Sequence, residues 1–269
     1  MDFLEENGSV VTWGLDVASL LTEGVVQVCG NYAAFAAIKA NGCLVTWGFA
    51  SSGGDSSAVA PLLPEGVIQV HRTAHAFAAI KADGSVGVVQ VCGSFYPFAA
   101  IKANGSVVTW GDANSGGDSS VVAPLLTEGV VQVCGTYSAF AAIKGNRGVV
   151  TWGDLYEGGN SFEVASLLMD GVVQVCGTAM AFTAVKANGS VVTWGRGDKG
   201  GNYLAVVSRL TEGVVQVCSN CCAFAAIRVN GSVVTWAADG SVDTWGRAAY
   251  GGNSSEVAAH LTGGFLEVW

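Results

Sequence analysis

Basic residues are scarce in this chain. Twelve Lys and Arg stand against 21 Asp and Glu, leaving a formal charge of −9. So acidic a chain, with no basic cluster, is a poor match for nucleic-acid phosphates. Basic protein partners stay open, because net charge biases encounter without naming a partner. Half of the residues are hydrophobic, yet no uninterrupted apolar run approaches the ~20 residues of a membrane-spanning helix. The N-terminus is acidic (Asp2, Glu5, Glu6) and lacks the basic start and apolar stretch of a secretory signal. The expectation is a soluble, intracellular protein, cytoplasmic or nuclear, that contacts neither nucleic acid nor membrane directly.

Catalytic signatures are missing as well. The histidines are His71, His75 and His260, and no G-x-S-x-G elbow or glycine-rich phosphate loop accompanies them. The chain is therefore expected not to be an enzyme, and to carry no catalytic residue and no cofactor. Cys29, Cys92, Cys134, Cys176 and Cys218 recur in phase. Equivalent positions in separate repeats seldom bring Cα atoms within the ~7 Å a disulfide needs, so these read as small buried hydrophobes. Cys218, Cys221 and Cys222 lack the second ligand pair that zinc requires. The loops "GGDSS" and "GGNSS" (Asp55, Asp118, Asn160, Asn202, Asn253) offer too few carboxylates for calcium and suit turns instead. No metal is expected.

Glycine is abundant, with 38 residues against four prolines, which fits many tight turns between short strands. A repeat dominates the sequence. Segments 24–65, 87–128, 129–170 and 171–212 are each 42 residues long, and the order "GVVQVCG…AFAAIK…GSVVTWG" recurs in them with small substitutions. Segment 66–86 is a half copy that runs from "ADGSV" straight into the next "GVVQV". Segment 213–263 carries a nine-residue insertion, 237–245, that duplicates a third strand. Because that third strand lies elsewhere in the ring, the insertion is not expected to patch the half copy.

Each unit reads as three strands. "VVQV" and "SVVTW" are β-branched, "AFAAIK" is apolar and small, and "ANGS" or "ADGS" is a hairpin turn. The outer segment, as in "NSFEVASLLMDG", reads either as a fourth strand or as a short helical turn capped by Ser or Asn. Small sheets repeating at this period predict an all-β propeller of seven blades in one domain, 1–269. Its units are 24–65, 66–86, 87–128, 129–170, 171–212, 213–263, and 264–269 together with 1–23. The two termini are expected to share the last blade, Gly264–Trp269 pairing with the segment before Gly8. Residues 82–88 form a weak point, where a sheet edge lies exposed.

The order "VVQVCG…AFAAIKANGSVVTWGD…GG", with "WG" at 13–14, 47–48, 110–111, 152–153, 194–195 and 245–246, resembles the repeat of the regulator of chromosome condensation family. The resemblance covers nearly the whole chain and implies a seven-bladed β-propeller. The family's "G-x-x-H-T/S" motif is absent, with only His75 near that position. The resemblance therefore implies architecture and no functional residue.

Lys39, Lys81, Lys102, Lys144, Lys186 and Arg228 recur before the hairpin turn, and Glu23, Glu65, Glu128, Asp170 and Glu212 at the unit junctions. Charge balancing between these sets is the simple reading. At the opposite end of the strands the turns after the first strand vary from copy to copy, as do the loops after "WG". A constant scaffold with one variable rim fits binding; drift in loops is the plain alternative. Tyr32, Tyr96, Tyr137, Tyr156, Tyr203 and Tyr250 all fall on that rim and are the candidate anchors. The expected function is a monomeric, non-enzymatic scaffold that binds another protein through this rim. Guanine-nucleotide exchange on a small GTPase is the alternative.

Overall fold

A computed structural model of the chain describes residues 3–4, 10–11, 21, 23–82, 87–202, 210–231 and 233–237. Tyr203, Tyr250, the proposed turn at 83–86 and the pairing of 264–269 lie outside the described residues. The chain falls into two compact units, Met1–Tyr96 and Pro97–Trp269.

In the first unit, β1 (Phe3–Leu4) pairs antiparallel with β2 (Val10–Val11). A three-stranded sheet follows, β3 (Val25–Gly30), β4 (Ala34–Lys39) and β5 (Leu44–Gly48). The half copy forms a two-stranded sheet, β6 (Val67–Arg72) with β7 (Phe77–Lys81), before β8 (Val88–Gly93). In the second unit β9 (Phe98–Lys102) pairs with β10 (Val107–Trp110). Three complete sheets come next. They are β11 (Val130–Gly135), β12 (Ala139–Lys144) and β13 (Val149–Gly153); β14 (Val172–Gly177), β15 (Ala181–Lys186) and β16 (Val191–Gly195); and β17 (Val214–Ser219), β18 (Ala223–Arg228) and β19 (Val233–Ala237).

Every complete sheet has the same register. Phe140 faces Trp152, Phe182 faces Trp194 and Phe224 faces Trp236 across the second and third strands. Those rings stack at 5.3–5.4 Å. The N-terminal hairpin keeps this phase, since Phe3↔Val11 and Leu4↔Val10 match Ala142↔Val150 and Ile143↔Val149.

The middle strand is apolar and small because it is covered on both faces. Ala139, Ala141 and Ile143 pack against Val172, Val175, Phe182, Ala184, Val192 and Trp194 of the next repeat. In the first unit Ala36 and Ile38 meet Val67 and Val70 in the same way. Two-faced burial replaces the simple in–out alternation of a half-exposed strand. The tryptophan also ties successive sheets: Trp152 Nε1 donates to Gly116 O at 3.1 Å, and Trp194 Nε1 to Gly158 O at 3.0 Å. Trp110 is 40% exposed, and the sequence 36 residues before it lies in the half copy, which has no Gly-Gly loop to supply such an acceptor.

The outer segments resolve as 3₁₀ turns, not as fourth strands, at Ser57–Leu62, Ser120–Leu125 and Phe162–Leu167. Their caps sit one residue earlier than a serine N-cap. Asp55, Asp118 and Asn160 accept from the N–H two residues on, at 2.8–2.9 Å. The Ser57 and Ser120 N–H groups hold the Asp55 and Asp118 carboxyls below the usual carboxylate range.

Two of the recurring lysines cap carbonyls. Lys144 donates to Leu125 O at 2.6 Å and Lys186 to Leu167 O at 2.9 Å, at the ends of these 3₁₀ turns. Lys186 also pairs with Asp170 at 3.4 Å, but that carboxylate is largely exposed, so the pair adds little.

All eight cysteines are free thiols. The in-phase cysteines Cys29, Cys92, Cys134, Cys176 and Cys218 are half-buried, not the fully buried hydrophobes expected, and Cys176 lies beside Val217 O at 3.0 Å. Burial first and then Cys218 push its thiol up to about 11, against a lowering hydrogen bond from Gln174. It stays neutral at physiological pH and packs, half-buried, against the cluster of Val214, Val217 and Phe224.

One turn departs from the pattern. Where other copies place Gly at positive φ after Asn, "GNRG" puts Arg147 at φ 67°. A Cβ at the equivalent Gly105 would lie 2.5 Å from Gly129 N. Arg147 therefore carries a left-handed backbone that glycine adopts without strain. Arg147→Gly is expected to stabilise the protein by about 1 kcal/mol in urea unfolding; a loss of stability would show that the Arg147 side chain contributes more than its backbone costs.

Candidate functional site

The variable rim is built from five-residue turns between the first and second strands. The second residue of each turn is a fixed brace. Asn31 Oδ1 accepts from the N–H groups of Ala33 and Ala34 at 3.1 and 2.9 Å, while its Nδ2 donates to Ser52 O at 2.8 Å. Thr136 Oγ1 accepts from Ala139 N at 3.0 Å and donates to Glu157 O at 3.1 Å, and Thr178 repeats this with Ala181 and Lys199. A short hydrogen-bonding side chain at this position closes the turn locally. It also fastens the turn to the loop after "WG".

The third residue forms a ladder. Tyr32 N donates to Ala74 O at 3.4 Å, and Ala74 N donates to Phe95 O at 3.0 Å. In the second unit Tyr137 N donates to Ala179 O at 2.7 Å, and Ala179 N to Cys221 O at 3.0 Å. Side chains at the third and fourth positions consequently stand next to one another along successive repeats.

In the first unit those positions are rich in rings. Tyr32 and Phe95 meet edge to face at 5.5 Å across the small Ala74. His75 contacts Tyr32 at 5.9 Å and Phe95 at 5.5 Å, and stacks on Tyr96 at 5.6 Å with planes 16° apart. Phe95 and Tyr96 complete the group at 4.7 Å. Edge-to-face and offset stacks at these separations are favourable ring geometries. Tyr32 is 69% and Tyr96 49% exposed. Phe49 is also exposed, on the loop that Asn31 braces.

The structure thus brings two of the six candidate tyrosines, Tyr32 and Tyr96, into one cluster. Tyr137 (37% exposed) and Tyr156 (81% exposed) lie in the second unit. Tyr137 has Ala179 as its ladder neighbour in the following turn. Tyr156 sits in a loop closed by Asp154, whose Oδ1 accepts from Tyr156 N at 2.8 Å. His75 and Phe95 were not among the sequence candidates. Their signal was positional: they occupy the third and fourth places of "RTAHA" and "GSFYP", in phase with Tyr32 and Tyr96.

The in-phase tryptophans belong to the scaffold. Trp47, Trp152, Trp194 and Trp236 are buried, and each stacks on the phenylalanine opposite.

A three-stranded sheet with Phe opposite Trp, a "WG" exit and a Gly-Gly loop acting as acceptor for the next sheet is a propeller blade. The repeat fold is like that of the regulator of chromosome condensation. No family model and no curated protein matches the chain. Among solved structures it is similar to human WBSCR16, at 17% identity and a TM-score of 0.47. It is also similar to Prp20p from Saccharomyces cerevisiae, at 13% and 0.47, and to the CRINKLY WD40 ectodomain of the Arabidopsis thaliana receptor kinase ACR4, at 13% and 0.44. Each match covers 79% of this chain, which spans 61%, 57% and 63% of those chains respectively. Among the described residues, no helix is long and apolar enough to cross a membrane.

Proposed function

We propose that this protein is a non-enzymatic scaffold that binds another protein through its variable turns, with the Tyr32, His75, Phe95 and Tyr96 cluster as the anchor. The observation that supports this is a packed cluster of four rings on braced turns, with Tyr32 and Tyr96 exposed and His75 and Phe95 half-buried between them. Rigid aromatic side chains give large contact area at low entropic cost, and such residues dominate interface energetics. The bracing by Asn31 keeps the loop from ordering anew on binding, which lowers the cost of association. The wider frame of the reading is a seven-bladed ring, closed by both termini.

Prp20p binds Gsp1p and histones; those partners are its own. Exchange activity depends on loop chemistry and not on the fold. Nucleotide release from any member of a small-GTPase panel would replace the scaffold reading.

The direct test is affinity capture from the source cell with mass spectrometry, comparing the wild-type chain with a Tyr32→Ala, His75→Ala, Tyr96→Ala triple variant. Partner recovery is expected to fall more than about tenfold, the effect of losing at least one anchor. The melting temperature should hold, because the exposed rings contribute little to the core. Unchanged capture by a folded triple variant overturns the assignment.

A further inference from the structure

We propose that Cys221 and Cys222 form a reversible disulfide-exchange site, at which a small-molecule disulfide oxidises the two neighbouring thiols to a disulfide within one rim turn. The site lies wholly in the second unit and does not depend on the Tyr32 cluster.

Sequence neighbours on a strand point to opposite faces and do not meet. Cys221 and Cys222 escape that rule because they hold the third and fourth places of the turn "SNCCA", between β17 and β18. At the same two places of another turn, Phe95 and Tyr96 keep their rings 4.7 Å apart. The turn geometry therefore brings these side chains together. Asn220 fixes it, with Oδ1 accepting from Cys222 N at 2.8 Å and from Ala223 N at 2.9 Å. The two thiols are hydrogen-bonded to one another, and that bond is the chief cause raising the Cys221 thiol. Burial and the charge of Cys222 add to the rise, while the Cys221 backbone and Lys199 oppose it.

Access and charge give the two sulfurs different parts. Of the eight cysteines Cys221 is the exposed one, whereas Cys222 is half-buried. Lys199 Nζ lies 3.9 Å from Cys222 Sγ. Cys218 makes a C-x-x-C spacing with Cys221, but it stands on β17 with its sulfur on Ala225 O at 3.8 Å. The adjacent pair is the reactive unit.

Two thiol–disulfide exchanges complete the reaction. The Cys221 thiolate, formed by loss of its proton to solvent, attacks one sulfur of the small disulfide. That S–S bond breaks, one small thiolate leaves and takes up a proton, and a mixed disulfide stays on Cys221. Cys222 then gives up its proton and attacks Cys221 Sγ, expelling the second small thiolate. Lys199 stands beside the sulfur that carries negative charge during this attack. The two protein thiols are oxidised together, and the small disulfide is reduced to two thiols. Because only the thiolate attacks, the raised Cys221 thiol makes the first exchange quicken as pH rises.

Ring closure disturbs the turn. Neighbouring Cα atoms stand about 3.8 Å apart across a peptide bond, below the ~4.4–6.8 Å usual for a disulfide. The backbone has to shift, and the strain leaves the new bond easy for thiols to reduce. The peptide unit between the two cysteines is the one that moves. It carries Cys221 O, which accepts from Ala179 N at 3.0 Å, and Cys222 N, which donates to the Asn220 cap. Oxidation therefore unfastens the ladder at Ala179, and the site is a covalent handle on the shape of the rim.

Peptide mapping of the full chain treated with oxidised glutathione tests the site. Tryptic fragment 210–228 should lose two hydrogens, with the new bond located to Cys221–Cys222, and dithiothreitol should restore them. Cys218→Ser should behave in the same way. Cys222→Ser should stop one step earlier, with glutathione held on Cys221. Amide exchange at Ala179 should quicken about tenfold in the oxidised protein, the scale of one lost hydrogen bond. A wild-type chain that stays reduced, or that stops at the mixed disulfide, overturns the proposal. So does a disulfide that disappears with Cys218→Ser, or an Ala179 amide that exchanges no faster after oxidation.

Discussion

Phe182→Ala is expected to cost about 3–5 kcal/mol of stability, the range for truncating a fully buried aromatic ring. Phe182 is completely enclosed and lies at the centre of the cluster formed by Ala139, Ala141, Val172, Val175 and Trp194. Its ring stacks on Trp194 at 5.3 Å. A Cβ on Gly158 would meet its Cδ2 at 2.6 Å, so the neighbouring loop is moulded onto the ring. That close fit leaves little room for collapse into the vacated space. Trp194 would also lose the surface that holds its Nε1 on Gly158 O. Urea unfolding followed by tryptophan fluorescence reads the effect. Phe98→Ala should lose less, because its partner Trp110 is already partly in water. A Phe182→Ala variant within about 1 kcal/mol of wild type would show that the blades do not depend on this stack.

Gly195→Ala is the second large effect, at about 2–4 kcal/mol from strain and overpacking combined. Gly195 ends β16 at φ 103°, a conformation L side chains rarely adopt. Its added Cβ would stand 2.7 Å from Met180 O and 2.8 Å from the Ala181 Cα. Both are backbone atoms of the adjacent turn and cannot swing aside. The turn also carries the Thr178 brace, so displacement there passes to the rim. Gly145→Ala is the matched control. Gly145 has no positive φ, its Cβ would meet only Gly129 O at 3.7 Å, and the substitution should be neutral or slightly stabilising. Equal losses at the two positions would mean that loss of glycine itself, and not this geometry, sets the cost.

Strand positions were legible in the sequence because β-branched runs, Asn-Gly turns and a 42-residue period all pointed the same way. The outer segment was not. "SFEVASLL" suits a strand or a helical turn by composition alone, and the Asx cap at Asn160 together with the Lys186 bond to Leu167 O decides for the 3₁₀ turn. The candidate site was half legible. Tyr32 and Tyr96 could be placed on the rim from strand alternation, but His75 joins the cluster only through neighbours 20 or more residues away, and Phe95 through His75 and Tyr32 as well as the adjacent Tyr96.

By itself, then, the sequence determined the blade: which residues are strands and which glycines turn. Those features depend on local periodicity and on a pairing register that the hairpin turn sets. Only the tertiary structure decided which rings touch and which copy of the duplicated third strand stands beside β18. Ring contacts arise from the ladder Tyr32–Ala74–Phe95, and the filling of the third-strand place by Val233–Ala237 from competition between two nearly identical segments for one edge. Neither outcome is encoded within a single repeat, because both depend on what the next repeat presents.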